Sequence, residues 1–222
     1  MGLIEIANIV KDGWTLIGGQ LVQLQCWERD GIPERVTFDV DTVLDIQSDP
    51  HILTKFTSAL ITIGFKPQTS AIDLQYKWIR GDASIDILLP DHSGERATSR
   101  TGVTGGSVLE TPGGRRVLDF SEKVKVNLDG QIAIINRPTF LGTLFIKSKA
   151  LNNTNDNGKD RHMFDIATLS TIFETADFND FEDRKEKSQI RSAITRTLAR
   201  ADILAKVKTS AEGLQQLLIL LD

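Results

Sequence analysis

The sequence predicts an α+β protein, a mixed sheet with flanking helices followed by a helical C-terminal subdomain. Three observations predict it. Apolar and polar side chains alternate with a period of two in the runs 36–46, 75–89 and 117–135, the pattern of half-buried strands. Apolar residues at helical spacing separate the first of these runs from its neighbours, at 21–27 and 52–63, and helical spacing replaces alternation altogether after Arg137-Pro138. A chain of 222 residues, 40% hydrophobic and 25% charged, can bury a core without disulfides or structural metals, and its composition excludes collagen-like and wholly disordered chains.

Taken in order, Trp14-Thr15-Leu16-Ile17 is an extended apolar segment, Gly18-Gly19 a turn, and Leu21, Val22, Leu24 and Trp27 one face of a helix that Asp30-Gly31-Ile32-Pro33 ends. In the β-rich run 36–46, Phe38 and Val40 share one face and Asp39 and Asp41 the other. Asp49-Pro50 supplies an N-cap and a first-turn proline for a helix carrying Ile52, Phe56, Leu60 and Ile63, closed by Gly64. Strands at 75–80 and 83–89 are joined by Gly81-Asp82, with Ile85 and Ile87 facing one way and Asp86 the other. The stretch 91–116, rich in Gly, Ser, Thr and Arg, reads as loops and short hairpins, and 117–135 as strand, with Val124, Val126 and Leu128 alternating against Lys123, Lys125 and Asn127. Beyond Pro138, Leu141, Leu144, Phe145 and Ala150 or Leu151 mark one helix, Met163, Ile166, Leu169 or Ser170, and Phe173 a second, and Ile190, Ile194 and Leu198 a third. The segment 177–187 is a charged connection. A last amphipathic stretch with Leu214, Leu217, Leu218 and Leu221 suits either the protein's own core or a partner.

Charge narrows the range of partners. Twenty-six Lys and Arg against 30 Asp and Glu leave a formal charge of -4, so no overall basic field draws in nucleic acid or anionic lipid, and such contact must be local. Arg96, Arg100, Arg115 and Arg116 lie among glycines where they could reach a polyanion, although ordinary solvated arginines fit the same pattern. The single cysteine, Cys26, permits no intramolecular disulfide and reads as an apolar packing residue, in keeping with a reducing compartment. With no basic segment leading into an apolar run at the start and no apolar stretch long enough for a membrane span, a cytoplasmic protein without membrane association is expected. Trp14, Trp27 and Trp78 each lie beside apolar periodic residues and are expected as core or pocket walls, not as base-stacking platforms.

The acids carry the chemistry. Asp39 and Asp41 project side by side, roughly 6 to 7 Å apart, from a strand with an apolar reverse face. Two adjacent like charges call for a counter-ion, and hard carboxylate oxygens suit Mg²⁺ or Mn²⁺, which also bridges substrate phosphates. Asp86, on a second alternating strand, is the third acid for that face. Upstream, Gly18-Gly19 at a helix start leaves backbone N–H groups free for a phosphate and lets it approach closely. The pattern is neither a Gly-Lys-Ser/Thr phosphate loop nor a Gly-x-Gly-x-x-Gly fingerprint, which disfavours P-loop ATPase and dinucleotide oxidoreductase readings. No nucleophile elbow with a Ser-His-Asp order supports a hydrolase of that kind.

Leu16-Ile17-Gly18-Gly19 followed by Asp39-Val40-Asp41 resembles the opening of the polymerase-β-type nucleotidyltransferases, and more narrowly the AbiEii-type toxins of abortive-infection and type IV toxin-antitoxin systems. That group also carries a lysine on a later helix and an acidic segment opening the next, places taken here by Lys147 and by Arg161-His162-Met163-Phe164-Asp165. The resemblance covers roughly residues 13 to 172. It implies a nucleotidyltransferase-like catalytic domain at 1–137 and a helical subdomain at 138–222 completing the cleft. By the same resemblance Gly18 and Gly19 would bind the nucleotide, Asp39, Asp41 and Asp86 would hold metal and serve catalysis, Lys147 would contact phosphate, and Asp165 would be the acidic member of the last motif. It further implies a nucleoside triphosphate substrate, tRNA or another RNA as acceptor, and a cognate antitoxin. Two departures stand out: Gln20 and Leu21 replace the usual hydroxyl near the glycines, and His162 stands where an aspartate is frequent. The rival readings are a nucleotide- or partner-binding module of the same fold without turnover, and a metal-dependent phosphodiester hydrolase using the same acids with water.

Overall fold

A computed structural model of the chain describes residues 2–70, 74–94, 99–153, 158–179 and 181–222. Contacts divide the chain into two compact units, Met1–Gln20 with Thr37–Pro138, and Leu21–Val36 with Thr139–Asp222.

The first unit is built on a mixed sheet. Strands β1 (Trp14–Ile17), β2 (Asp39–Leu44), β3 (Lys66–Gln68), β4 (Lys77–Arg80) and β5 (Ala83–Pro90) run in the spatial order β1-β2-β5-β4-β3, and β6 (Leu109–Thr111) pairs with the far end of β5. The β2–β5 pair is parallel, whereas β1–β2, β4–β5 and β3–β4 are antiparallel. A parallel pair needs a long crossover, and the chain between β2 and β5 supplies it with helix α3 (Ile52–Thr62) and strands β3 and β4. One face of the sheet is apolar: Val40, Trp78, Ile85 and Ile87 are buried together with Leu53, Phe56 and Leu60 of α3 and Ile6 of α1 (Gly2–Ile9). Trp14 meets Phe56 edge to face at 5.9 Å between ring centres and donates its indole N–H to the Val10 carbonyl at 2.6 Å, the usual settlement for a buried indole. Helix α4 (Gly114–Asp119) lies against β1 and β5, and a separate hairpin, β7 (Ser121–Leu128) with β8 (Gln131–Pro138), closes the unit.

Three expectations are corrected here. Val36 and Phe38 precede the strand and are exposed, because β2 finds a partner only from Asp39, opposite Ser84. The run 117–135 is not one strand: Val117 belongs to α4, and Asp129-Gly130, both at positive φ, turn the remainder into the β7–β8 hairpin. Asp49 does not cap α3. Its carboxylate accepts the His51 N–H at 2.9 Å, and the helix begins one residue later without a side-chain cap.

The second unit is helical apart from the segment between helices and sheet. Helix α2 (Gly18–Glu28) begins in the first unit and contributes its residues from Leu21 onward to the second, with α5 (Phe140–Asn152), α6 (Lys159–Leu169), a 3₁₀ turn (Thr175–Phe178), α7 (Arg184–Leu198), α8 (Ala201–Leu204) and α9 (Ser210–Leu220). Thr139 caps α5 by accepting the Gly142 N–H at 3.2 Å, and Asp183 caps α7 through the Lys185 and Glu186 N–H groups. Leu151, Ile166, Leu169, Ile190, Ile194, Leu214 and Leu217 fill the core. The Leu-rich end therefore packs on its own unit, with Gly213 so close to the Ser170 carbonyl that a Cβ would lie 1.9 Å from its oxygen. Asp177, which the sequence places in a charged connection, takes a bidentate grip on Arg29 at 2.6 and 2.7 Å. Among the described residues, no helix is long and apolar enough to cross a membrane.

Candidate active site

The polar face of the sheet is assembled by register. Because β2 and β5 pair in parallel with Asp41 opposite Asp86, and β4 and β5 pair with Lys77 opposite Asp86, one row crosses five strands: Ile17, Asp41, Asp86, Lys77, Gln68. Residues paired across neighbouring strands share a face, and so do residues two apart along a strand. Asp39, opposite Ser84, thus joins the same face one step along β2. The structure brings Asp39, Asp41 and Asp86 together on this face, while Val40, Ile85 and Trp78 make up the apolar side.

The glycine at the end of β1 meets these acids directly. Gly18 has φ +75 and opens α2, and a Cβ built on it would lie 1.8 Å from Asp41 Oδ2. Only glycine permits both the left-handed backbone and this approach. A helix start carries partial positive charge, so a carboxylate resting against it is favourably placed. Gln20, at the position where a hydroxyl was expected, donates instead to the Phe38 carbonyl at 3.1 Å and ties the helix start to the approach of β2.

Each acid has its own surroundings. Ser84 donates its hydroxyl to Asp39 Oδ1. Asp86 is largely buried and receives the ammonium of Lys77, whose Nζ lies 2.8 Å from Oδ1. Burial pushes the Asp86 carboxyl above the ordinary carboxylate range, the Lys77 ammonium paired with it works against that, and the nearby Asp39 charge adds to the rise. Lys77 is itself raised: burial pulls it down, but its ion pair with Asp86 and the charges of Asp39 and Asp41 outweigh it. The two rises have different causes: burial above all lifts Asp86, whereas the neighbouring carboxylates lift Lys77 against its burial.

Two of these acids, Asp39 and Asp41, could hold a divalent cation. Mg²⁺ is typically held by one or two carboxylates plus waters and substrate phosphates, without a complete protein cage, and Asp39 and Asp41 supply two carboxylates on a rigid strand. Among the described residues no three His, Cys, Asp or Glu side chains converge into a group able to hold a metal, and Asp86, the third acid of the face, is already engaged by an ammonium.

Lys147 and Asp165 lie in the helical unit, on α5 and α6, and meet each other: Lys147 Nζ donates to Asp165 Oδ2 at 2.6 Å, both side chains nearly inaccessible. Arg35 adds a second cation, its Nη2 3.2 Å from Asp165 Oδ1, while its carbonyl accepts from Gln23 at 3.1 Å. Removing one member of such a buried group typically costs about 3–5 kcal/mol.

Neither Lys77 nor Arg35 was singled out from the sequence. For Lys77 a signal existed. A two-residue turn at Gly81-Asp82 fixes Arg80 opposite Ala83, and counting back along both strands places Lys77 opposite Asp86. Arg35 lies in an irregular segment with no periodicity to read.

The other residues of interest are mostly engaged locally. Arg100 donates to the Ile46 and Pro50 carbonyls at 3.3 and 2.8 Å, Arg115 reaches Asp45 and Asp119, and Arg116 stacks over Phe120 at 4.2 Å. Arg96 lies outside the described residues. His162 is buried. Cys26 is buried too, and burial, with the charges of Asp165 and Glu34 behind it, pushes its thiol up to about 11. Trp14 and Trp78 belong to the core, but Trp27 is 59% exposed and does not.

No family model matches the sequence, and no curated protein aligns with it. Among solved structures, the chain is similar to an antigenic nucleotidyltransferase-like protein from Paracoccidioides brasiliensis, with a TM-score of 0.53 and 14% identity, over 96% of this chain and 89% of that one. At that identity the likeness speaks for architecture alone, and the architecture of this chain is a nucleotidyltransferase-like α+β fold.

Proposed function

We propose that the acid face of the first unit is the site of a divalent-cation-dependent nucleotidyltransferase that moves a nucleotide from a nucleoside triphosphate to an acceptor hydroxyl. The observation that carries this reading is the row that sets Asp41 beside Asp86, with Asp39 one step along and Gly18 pressed against the Asp41 carboxylate. In the reaction the acceptor oxygen bonds to the α-phosphorus, the bond from that phosphorus to the bridging oxygen breaks, and pyrophosphate departs with the electron pair. A divalent cation held by Asp39 and Asp41 would neutralise charge on the phosphates. The Asp41 carboxylate fills the space beside Gly18, so a phosphate at the start of α2 would be met at Gly19. Asp86, with its proton affinity raised by burial, is the group on this face suited to take the proton of the acceptor hydroxyl. Catalysis of this kind rests mainly on positioning and charge neutralisation.

The finer assignment follows the sequence resemblance to AbiEii-type toxins. The acceptor is tRNA or another RNA, and a cognate antitoxin restrains the enzyme in the cytoplasm. Purified protein incubated with Mg²⁺, total tRNA and each α-labelled triphosphate in turn tests it. Label on RNA with the wild type and none with Asp41→Ala supports the reading. Shortened RNA instead identifies a hydrolase, and no change in RNA with any triphosphate returns the binding-module reading.

A further inference from the structure

The acid face contains a cation of its own, and this inference rests on the reading of that face as a metal-dependent site. Lys77 comes from β4, on the opposite side of β5 from Asp41, and its Nζ stands 2.8 Å from Asp86 Oδ1 with both side chains largely sheltered. The placement is built into the backbone, since the Gly81-Asp82 turn and the β4–β5 register leave Lys77 no other cross-strand neighbour on β5. In the cluster of Asp39, Asp41, Asp86 and Lys77, three carboxylates and one ammonium leave two negative charges, the amount that a single divalent cation balances; Lys66 of β3 shares the face but is exposed to solvent. A second divalent ion drawn to Asp86 would have to displace the ammonium or lie against it, and like charges at such distances repel strongly away from bulk water.

We propose that Lys77 is a resident counter-ion of the acid face, its ammonium filling the Asp86 end so that the face binds one divalent cation, through Asp39 and Asp41. Lys77 is thereby a positioning residue. It holds the Asp86 carboxylate away from the metal and oriented toward the space where an acceptor hydroxyl would approach. The third acid of the set is withdrawn from metal ligation and kept for proton transfer.

Mn²⁺ titrations followed by the loss of the free-ion electron paramagnetic resonance signal, without nucleotide, test this independently of activity. Lys77→Met is expected to bind Mn²⁺ at least ten-fold more tightly than wild type, because a competing charge is gone and an Asp86 oxygen is released. Lys77→Arg, which keeps the cation, should match wild type, and the gain should vanish in Lys77→Met/Asp86→Asn. If Lys77→Met does not fold by circular dichroism, Lys77→Gln takes its place with the same expectation. Equal Mn²⁺ affinity in wild type and the neutral variant overturns the role of Lys77 and leaves the acid-face reading standing, provided that Asp41→Ala weakens binding. A gain that persists without the Asp86 carboxylate overturns the assignment of that acid as the competing ligand. Mn²⁺ binding by neither protein overturns both readings.

Discussion

Gly18 is the residue least replaceable by its nearest relative. Alanine there would place a methyl carbon 1.8 Å from Asp41 Oδ2 on a backbone at φ +75, so either the carboxylate swings away or the strand end shifts. Gly18→Ala is expected to cost about 1–3 kcal/mol in a urea melt and to lower transfer activity by roughly a hundred-fold through loss of positioning. The proton affinities make a second prediction. Burial and the Asp39 charge raise the Asp86 carboxyl and Lys77 restrains the rise. The acid limb of the kcat/KM profile should therefore lie above the ordinary aspartate value of about 3.9. In Lys77→Met the limb should move further up, since the restraining charge is gone; a limb that moves down would refute the role of Asp86 as base. At this scale the sequence was most legible where strand alternation applies. The period of two alone sets Asp39 and Asp41 on one face of their strand and Asp86 on the polar face of its own, and counting from the turn adds Lys77 beside Asp86; that the two faces are one follows only from the β2–β5 pairing. Arg35 could not, because its approach to Asp165 depends on the path of a segment without regular structure.

Helices and strands differ in how much of themselves they announce. Helix α3 was readable because Ile52, Phe56 and Leu60 keep strict helical spacing and all three are buried. The β7–β8 stretch reads as strand-like throughout because its apolar content continues through the turn, although Asp129-Gly130 is a strong hairpin signal. Phe38 misled in the opposite way: alternation places it with Val40, but a side chain is buried only if its strand has a neighbour there, and pairing begins at Asp39. The pairing of α5 with α6 has a consequence for any assay of Lys147 or Asp165. Asp165→Asn would leave the buried Lys147 ammonium without a full counter-charge, and a loss of about 3–5 kcal/mol of stability is expected. A hydrophobic pair, Lys147→Met with Asp165→Leu, should recover much of it. Thermal melts of the three variants decide the point: a double variant no more stable than Asp165→Asn would contradict the ion-pair account.

For the molecule as a whole, the functional claim rests on the sheet of the first unit. Its order β1-β2-β5-β4-β3 places the parallel β2–β5 pair at the centre, which is what sets Asp41 beside Asp86. Sequence could give the class and the alternation of each strand but not which strands neighbour one another, since parallel partners are joined by a long crossover instead of a turn. The likeness to a nucleotidyltransferase-like structure over 96% of the chain is a likeness of architecture, so the chemistry must be tested on the residues themselves. The most direct measurement compares a triphosphate labelled at the α-phosphate with the same triphosphate labelled at the γ-phosphate, using wild type and Asp41→Ala with RNA and Mg²⁺. The account predicts that only α-label reaches the RNA, that γ-label is released as pyrophosphate, and that Asp41→Ala does neither. Transfer of γ-label to RNA, or equal transfer by Asp41→Ala, would contradict it.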